Sequence, residues 1–294
     1  MKPTKPTSSA STTSSTASRT ETDRHLSRAK RGEARPPLQR RDAIMKSMKR
    51  VAANRDAYGC GVWAFLNGVG GPCEIVERDD GYITATPSIK AYFAAFRSWP
   101  KRQREAIRHR RGDTALDVGC GAGRVALYLQ ERGFRAMGID SSPLAVKTAK
   151  TRGVRDARLL RLQSIDRLEK NWFGTVIMFG NNFGLFGSYA AAKRLLRQLH
   201  RITMPRAVLL AESLDPYKTE DTVHLAYQRA NRRRGRMSGQ IRIRVRYRNC
   251  VGPWFDYLLV SPPEMERILE GTGWTLNCFV SDGDPAYVGV MTRM

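Results

Sequence analysis

The chain is poor in the residues that organise metal, disulfide or membrane proteins. Its five cysteines, at 60, 73, 120, 250 and 278, are odd in number and contain no CxxC spacing. That argues against a disulfide framework and a zinc site, and for a reducing compartment, so a cytoplasmic location is expected. The four histidines, at 25, 109, 200 and 224, make neither HxH nor HExxH, and no structural metal is expected. No apolar run nears the ~20 residues that a membrane-crossing helix needs; AVLLA at 207–211 is one of the short ones. Acidic residues are also scarce. In 294 residues, 51 Lys+Arg face 27 Asp+Glu, a net charge of +24. Such an excess suits a polyanionic partner without requiring one.

The shortage of acid is greatest at the start, where the first twenty residues hold twelve Ser or Thr and no Asp or Glu. RAKRGEARPPLQRR follows, again without apolar periodicity. A segment that cannot bury apolar surface cannot offset its chain entropy, so 1–44 is expected to be a disordered basic tail. Its composition is also that of an organelle transit peptide, which leaves targeting open. Residues 45–112 read as an N-terminal cap. Within them EIVERDDGYI (74–83) suggests two short strands about an Asp-Gly turn, and SIKAYFAAFRSW (88–99) a helix ended by Pro100. KRQREAIRHRR continues as a basic helical stretch.

From Thr114 strands and helices alternate. TALDVG, FRAMGID, ARLLRLQ, GTVIMFG and RAVLLAES read as strands. GRVALYLQERG, SPLAVKTAKTRG and YAAAKRLLRQLHRI read as helices, with Ser142 a plausible cap of the second. This rhythm calls for a parallel sheet with right-handed crossovers. The end departs from it. IRIRVRYR and WFDYLLV form an expected inserted hairpin, while WTLNCFV and AYVGVMT flank the short SDGDP and must pair antiparallel. A domain over 113–294, with a substrate-region insertion at about 214–260, follows from that reading.

The informative stretch is LDVGCGAGR. A strand running into Gly119, Gly121 and Gly123 and then a helix brings backbone N–H groups and a positive helix end to a ligand. Asp140 ends the next strand, 23 residues after Asp117, where an acid can accept hydrogen bonds from a ribose diol. Gly121, Gly123 and Ala126 also satisfy the dinucleotide pattern GxGxxA. Asp117 and the antiparallel closing pair speak against a dinucleotide enzyme.

On these residues the chain resembles the class I S-adenosylmethionine-dependent methyltransferases, over roughly 113–294. The matching segments are LDVGCGAG, GID, FGTVIMFGNN and the closing GTGWTLNCFV…AYVGVMTR. The resemblance implies a Rossmann-like seven-stranded α/β fold and S-adenosylmethionine as cofactor. It further implies that Gly119, Gly121 and Gly123 line the methionine moiety, that Asp117 helps hold its amino group, and that Asp140 binds the ribose. Cys120 and Ser141, their neighbours, join the candidate set. Ser164, Ile165 or Asp166 would meet the adenine, and the amides of Asn181 and Asn182 would hold the cofactor's carboxylate or orient a substrate.

A sulfonium methyl is already activated, so alignment is the main task, and a base is needed only for a protonated nucleophile. Candidates for chemistry are Asn181 and Asn182 after the fourth strand, Glu212 at the end of the fifth, and His224. Each has a plain alternative, in a cap, an ion pair or an isolated side chain. Tyr92, Phe93 and Trp99 offer an aromatic lid or an ordinary apolar face. The fourth strand lacks [DNS]PP[YFW] and Pro-Cys, which lowers the case for a nucleobase substrate. Arg242, Arg244, Arg246 and Arg248 share one face of IRIRVRYR. They decorate the wet side of a strand, grip an anionic substrate or follow RNA phosphates. The expected function is methyl transfer to O, N or C of a small molecule. RNA or ribosome methylation, or a non-catalytic cofactor-binding subunit, are the alternatives.

Overall fold

Strands buried on both faces build the larger of two sheets. The computed structural model describes residues 55–86 and 88–294; the tail expected over 1–44 and the first residues of the expected cap lie outside them. The described chain opens with helix α1 (Ala57–Leu66), strands β1 (Glu74–Arg78) and β2 (Ile83–Thr86), one-turn α2 (Ser88–Ala91) and α3 (Lys101–Ala106). Then come β3 (Thr114–Val118), α4 (Arg124–Gln130), β4 (Arg135–Asp140), α5 (Pro143–Thr151), β5 (Asp156–Leu159) and β6 (Phe173–Met178). Helix α6 (Tyr189–Ile202) leads to β7 (Thr203–Leu214), α7 (Thr222–Arg233), β8 (Gln240–Tyr247), β9 (Cys250–Val251) and β10 (Phe255–Leu258). The chain closes with α8 (Pro262–Leu269), β11 (Trp274–Ser281) and β12 (Ala286–Arg293).

The seven-stranded sheet runs β11-β12-β7-β6-β3-β4-β5. The pairs from β7 to β5 are parallel, and β12 is antiparallel to both its neighbours. From β3 the chain winds outward to β5 and then crosses back to β6. The crevice between the carboxyl ends of β3 and β6 is therefore a topological switch point, where such sheets bind ligands. Leu116, Val176, Met178 and Leu209 face one core with Leu195, Leu199 and Ile268. Their neighbours Ala115, Ile177, Val208 and Leu210 face a second core with Val125, Leu129 and Val146.

The cap and the insertion, separate in the sequence reading, are one structure. Strand β8 pairs antiparallel with β10 on one side and with β1 on the other, and the second sheet runs β10-β8-β1-β2 with β9 on β8. The arginine strand is thus interior rather than an edge. Ile243 and Tyr247 point inward, Tyr247 into a core with Ala57, Cys60, Trp63 and Ile89. There the Cys60 and Cys250 sulfurs lie 3.1 Å apart. Arg242 is exposed.

Two helices escaped the sequence reading. Helix α1 is capped by Asp56, whose Oδ1 accepts from Gly59 N at 2.9 Å. Its Gly59 and Gly61 look like breakers, yet a Cβ on Gly61 would come within 2.8 Å of Ile89 Cδ1, so the glycine permits close packing. Helix α7 lay hidden under its charge. Conversely, the helix expected over 88–99 is broken. Only Ser88–Ala91 is helical, and a 3₁₀ turn follows at Phe96–Ser98. Trp99 Nε1 donates to Ala94 O at 2.9 Å and holds that chain reversal.

Candidate active site

Three glycines with positive φ bend the chain between β3 and α4. The N–H groups of Gly119 and Cys120 donate to Ile139 O at 2.9 and 3.0 Å, which ties the loop to the end of β4. A Cβ on Gly119 would lie 2.5 Å from Asn182 Nδ2, and one on Gly121 2.4 Å from the Tyr58 hydroxyl. Side chains from β6's exit and from α1 thus press on the loop from two sides. Gly123 serves differently. Its missing Cβ makes room for Val154 Cγ2, so this glycine packs the loop against the end of α5. Cys120, 6% exposed, fills the space left by Gly138, and burial with two nearby carboxylates pushes its thiol well up.

Asp140 is organised by backbone. Its Oδ1 accepts from Ser142 N at 2.9 Å and its Oδ2 from Gly121 N at 3.0 Å. Each oxygen keeps a lone pair for a further donor. Burial raises the group to about 6, against the pull of those amides. Asp117 is 3% exposed, and its Oδ2 is sealed without a hydrogen-bond partner among the described residues. Burial raises it to about 7, with the Arg124 guanidinium acting in the opposite sense. Ser141 is exposed beyond β4. At the end of β5, the 3₁₀ turn Leu162–Arg167 carries Ser164 half-buried, Ile165 fully buried in the core and Asp166 exposed.

The exit of β6 supplies the opposite wall. Asn182 Nδ2 donates to Val118 O and Gly119 O at 2.9 and 3.1 Å, so its amide clamps the glycine loop. Asn181 adopts a left-handed conformation, and its Oδ1 is buried without a partner among the described residues. Glu212 sits in neither a surface ion pair nor an open position. Its Oε1 accepts from Arg102 Nε at 2.7 Å, and its Oε2 from Gln103 Nε2 at 2.6 Å and from Gly180 N. At 1% exposed and with both oxygens committed to α3 and the β6 exit, it is a strut. His224 stands on α7 with Arg78, Tyr82 and Asp221 as its neighbours, a set apart from the glycine loop.

The cap roofs this crevice with Tyr92 and with residues that the sequence did not single out. Asp56 Oδ2 accepts from Ser142 Oγ at 2.8 Å and Leu144 N at 3.1 Å, so one carboxylate joins the starts of α1 and α5. That sets Tyr58 over Gly121. The Tyr58 ring meets Tyr92 edge-on, centroids 5.4 Å apart, and Tyr92 Oη donates to Glu74 Oε1 at 2.8 Å. Ser88 Oγ donates to the same oxygen at 2.5 Å. From β10, Tyr257 packs its ring on Gly184 and donates its hydroxyl to Asn181 O. Burial, then neighbours that include Glu74, hold the phenols of Tyr58, Tyr92 and Tyr257 well above their ordinary range. Tyr92 is therefore part of a roof. Trp99 is not, being 3% exposed in the core against Tyr128 and Phe179. Phe93 meets Phe65 at a tilt and lies under Arg152, whose Nη1 also donates to Ala122 O in the glycine loop.

The arginines face away from all this. Glu77, opposite Arg244 in the β1–β8 register, accepts from Arg244 Nε and Nη2 at 2.8 Å each and from Arg246 Nε. Those bonds hold its carboxyl down at about 2. Arg248 Nη2 donates to Val69 O. Glu77 lies three residues from Glu74, and strand pleating sends the two to opposite faces. Among the described residues no helix is long and apolar enough to cross a membrane.

Residues 116–211 match a family model described as a methyltransferase domain. The fold is similar to a crystal structure of a SAM-dependent methyltransferase from Bacteroides fragilis in complex with S-adenosyl-L-homocysteine. The TM-score is 0.68 at 27% identity, over 81% of this chain and 95% of that one. A SAM-dependent methyltransferase from Methanosarcina mazei shares the fold at TM-score 0.52 and 15% identity, over 64% and 96% of the two chains. Among curated proteins, a 35-residue stretch is 54% identical to 2-heptyl-1-hydroxyquinolin-4(1H)-one methyltransferase of Mycobacteroides abscessus. That stretch is 12% of this chain and spans only 15% of the relative's length. Residues 116–211 thus carry a methyltransferase domain, in a chain whose fold is similar to that of S-adenosylmethionine-dependent methyltransferases.

Proposed function

We propose that the methyl acceptor is a small molecule, held between the glycine loop and the roof formed by the cap and the second sheet. The observation that carries this reading is the roof itself. Tyr58, Tyr92 and Tyr257 are packed over the β3–β6 crevice, a wall suited to a compact acceptor rather than a polymer. The name of the Mycobacteroides abscessus relative, a methyltransferase of a hydroxyquinolone, is in keeping with it. So is the pairing of Arg244 and Arg246 with Glu77, which leaves less free cation for phosphates.

The donor set suits the cofactor. Asp117 Oδ2, sealed and unpartnered, is the acceptor that an ammonium group needs. Asp140 retains lone pairs for a ribose diol, with Cys120 and Ser141 beside it. Gly119 and Gly121 let the chain pass close to the methionine moiety, and Asn181 is the amide facing it. The turn carrying Ser164 and Ile165 is where adenine would rest. S-adenosylmethionine, when bound, supplies a methyl on a positively charged sulfur that needs no further activation. The chain's own work is to hold and align the acceptor and keep water away, worth ~7–11 kcal/mol when geometry is good.

Incubating the protein with cofactor carrying a labelled methyl and a bacterial extract tests this. Label should enter the small-molecule fraction. Label appearing instead in RNA would overturn the reading.

A further inference from the structure

Among the described residues Glu74 is the one buried carboxylate in the roof, and its bonding is lopsided. It is 6% exposed, and both its donors, Tyr92 Oη and Ser88 Oγ, go to Oε1. Oε2 accepts from no described residue. Unlike Asp117 Oδ2, this oxygen is not sealed, so it keeps its lone pairs open to a further donor. Its place is also specific. The residue occupies the inward face of β1, opposite the face on which Glu77 meets Arg244 and Arg246. Tyr92 joins it through Tyr58 to Gly121, while Tyr257 joins the same roof to Asn181. Glu74 therefore hangs over the crevice from the side opposite Asp117 and Asp140. Three phenol rings beside it suit a flat apolar body.

We propose that Glu74 is the proton acceptor for the methyl-receiving group, and that this group is a weakly acidic hydroxyl on an aromatic or heteroaromatic ring. The inference rests on the small-molecule reading above. The acceptor's O–H donates to Oε2 in the bound state. As its oxygen forms the bond to the methyl carbon, the proton passes to Oε2, and the pair of the breaking carbon–sulfur bond stays on sulfur. A neutral methyl ether leaves, and Glu74 returns its proton to water. Tyr92 and Ser88 are positioning residues. By occupying Oε1 they fix the carboxylate plane and turn Oε2 toward the acceptor.

The test uses the complex with S-adenosylhomocysteine, with 2-naphthol and 4-hydroxyquinoline as probes and their O-methyl ethers as controls. Calorimetry should give binding of at least one hydroxyarene and much weaker binding of its ether. Glu74→Gln should leave S-adenosylhomocysteine affinity within about twofold and weaken the hydroxyarene about tenfold. With S-adenosylmethionine, kcat should fall by about 10²–10⁴ while KM changes far less, as loss of a base requires. Tyr92→Phe, which keeps the ring, should lower kcat by about tenfold. Glu77→Gln, on the other face of the strand, should change neither binding nor kcat. Should Glu74→Gln melt early, Tyr92→Phe and the ether controls still decide the matter. The proposal is overturned if ethers bind as well as hydroxyarenes, if neither hydroxyarene binds, or if Glu74→Gln retains kcat. Failure of S-adenosylhomocysteine itself to bind would instead sink the reading of the cofactor site.

Discussion

The two sheets treat their carboxylates in opposite ways. On the outer face of the small sheet, Glu77 is held at about 2 by hydrogen bonds from Arg244 and Arg246. At the carboxyl edge of the large sheet, burial lifts Asp140 to about 6 and Asp117 to about 7. Partner and desolvation pull a carboxyl in contrary directions, and here each wins in one sheet. The Glu77 carboxylate is satisfied by two guanidinium partners, whereas Asp117 keeps an oxygen without a partner among the described residues.

The largest break in that contrast should come at Asp140. Replacing it with alanine removes two backbone tethers and the proposed diol acceptor together, and should weaken S-adenosylmethionine binding by about a hundredfold or more in calorimetry. Retained affinity would show that the loop amides alone hold the cofactor.

A pH series sharpens the comparison. Asp117 and Asp140 must be ionised to hold a cationic and hydroxyl-rich ligand, so affinity should fall as pH drops below about 7 and binding near that pH should release protons. Asp117→Asn should flatten the upper part of this profile. Without ligand the trend reverses. Both groups keep their protons to higher pH when folded than when unfolded, where aspartate titrates near ~3.9. The folded state then binds more protons between about pH 4 and 7, so the melting temperature should decline as pH rises through that window. A melting temperature that rises there in the wild type and not in Asp117→Asn would contradict the assignment.

The smallest effect belongs to Glu77. Its ion pairs lie on the outer face, and such pairs contribute little to stability. Glu77→Gln should shift the melting temperature slightly and leave cofactor affinity alone. It should raise retention on an anionic resin at low salt, because two guanidinium groups lose their counter-charge. The gain should vanish at high salt.

The same division governs what the sequence discloses. Everything in the large sheet that matters is written in runs. β3, the glycines and α4 are consecutive, Asp140 follows at the end of the next strand, and alternating residues such as Val208 and Leu209 announce both of its faces. The roof is written in fragments. Tyr58, Glu74, Tyr92 and Tyr257 come from α1, β1, the segment after α2 and β10, and nothing local says that they meet. What brings them together is the pairing of Ile75 with Arg246 and of Val76 with Val245. No periodicity encodes a register between segments so far apart. Alternation did reveal that Arg242, Arg244 and Arg246 share a face; it could not reveal that Glu77 was already there. Glu212 misled for a related reason, since its partners Arg102 and Gln103 lie on a helix more than a hundred residues upstream.

The union of β1 with β8 also sets a clock. A ribosome delivers β1 early, yet its partner strand emerges only after β3 to β7 have been made. At about 5–20 residues per second that is a wait on the order of ten to thirty seconds. Throughout it β1 has only β2 to pair with, while the strands and helices of the cofactor crevice already have theirs. During synthesis, then, the parallel strands that carry the glycine loop are ready to form before the small sheet that roofs it.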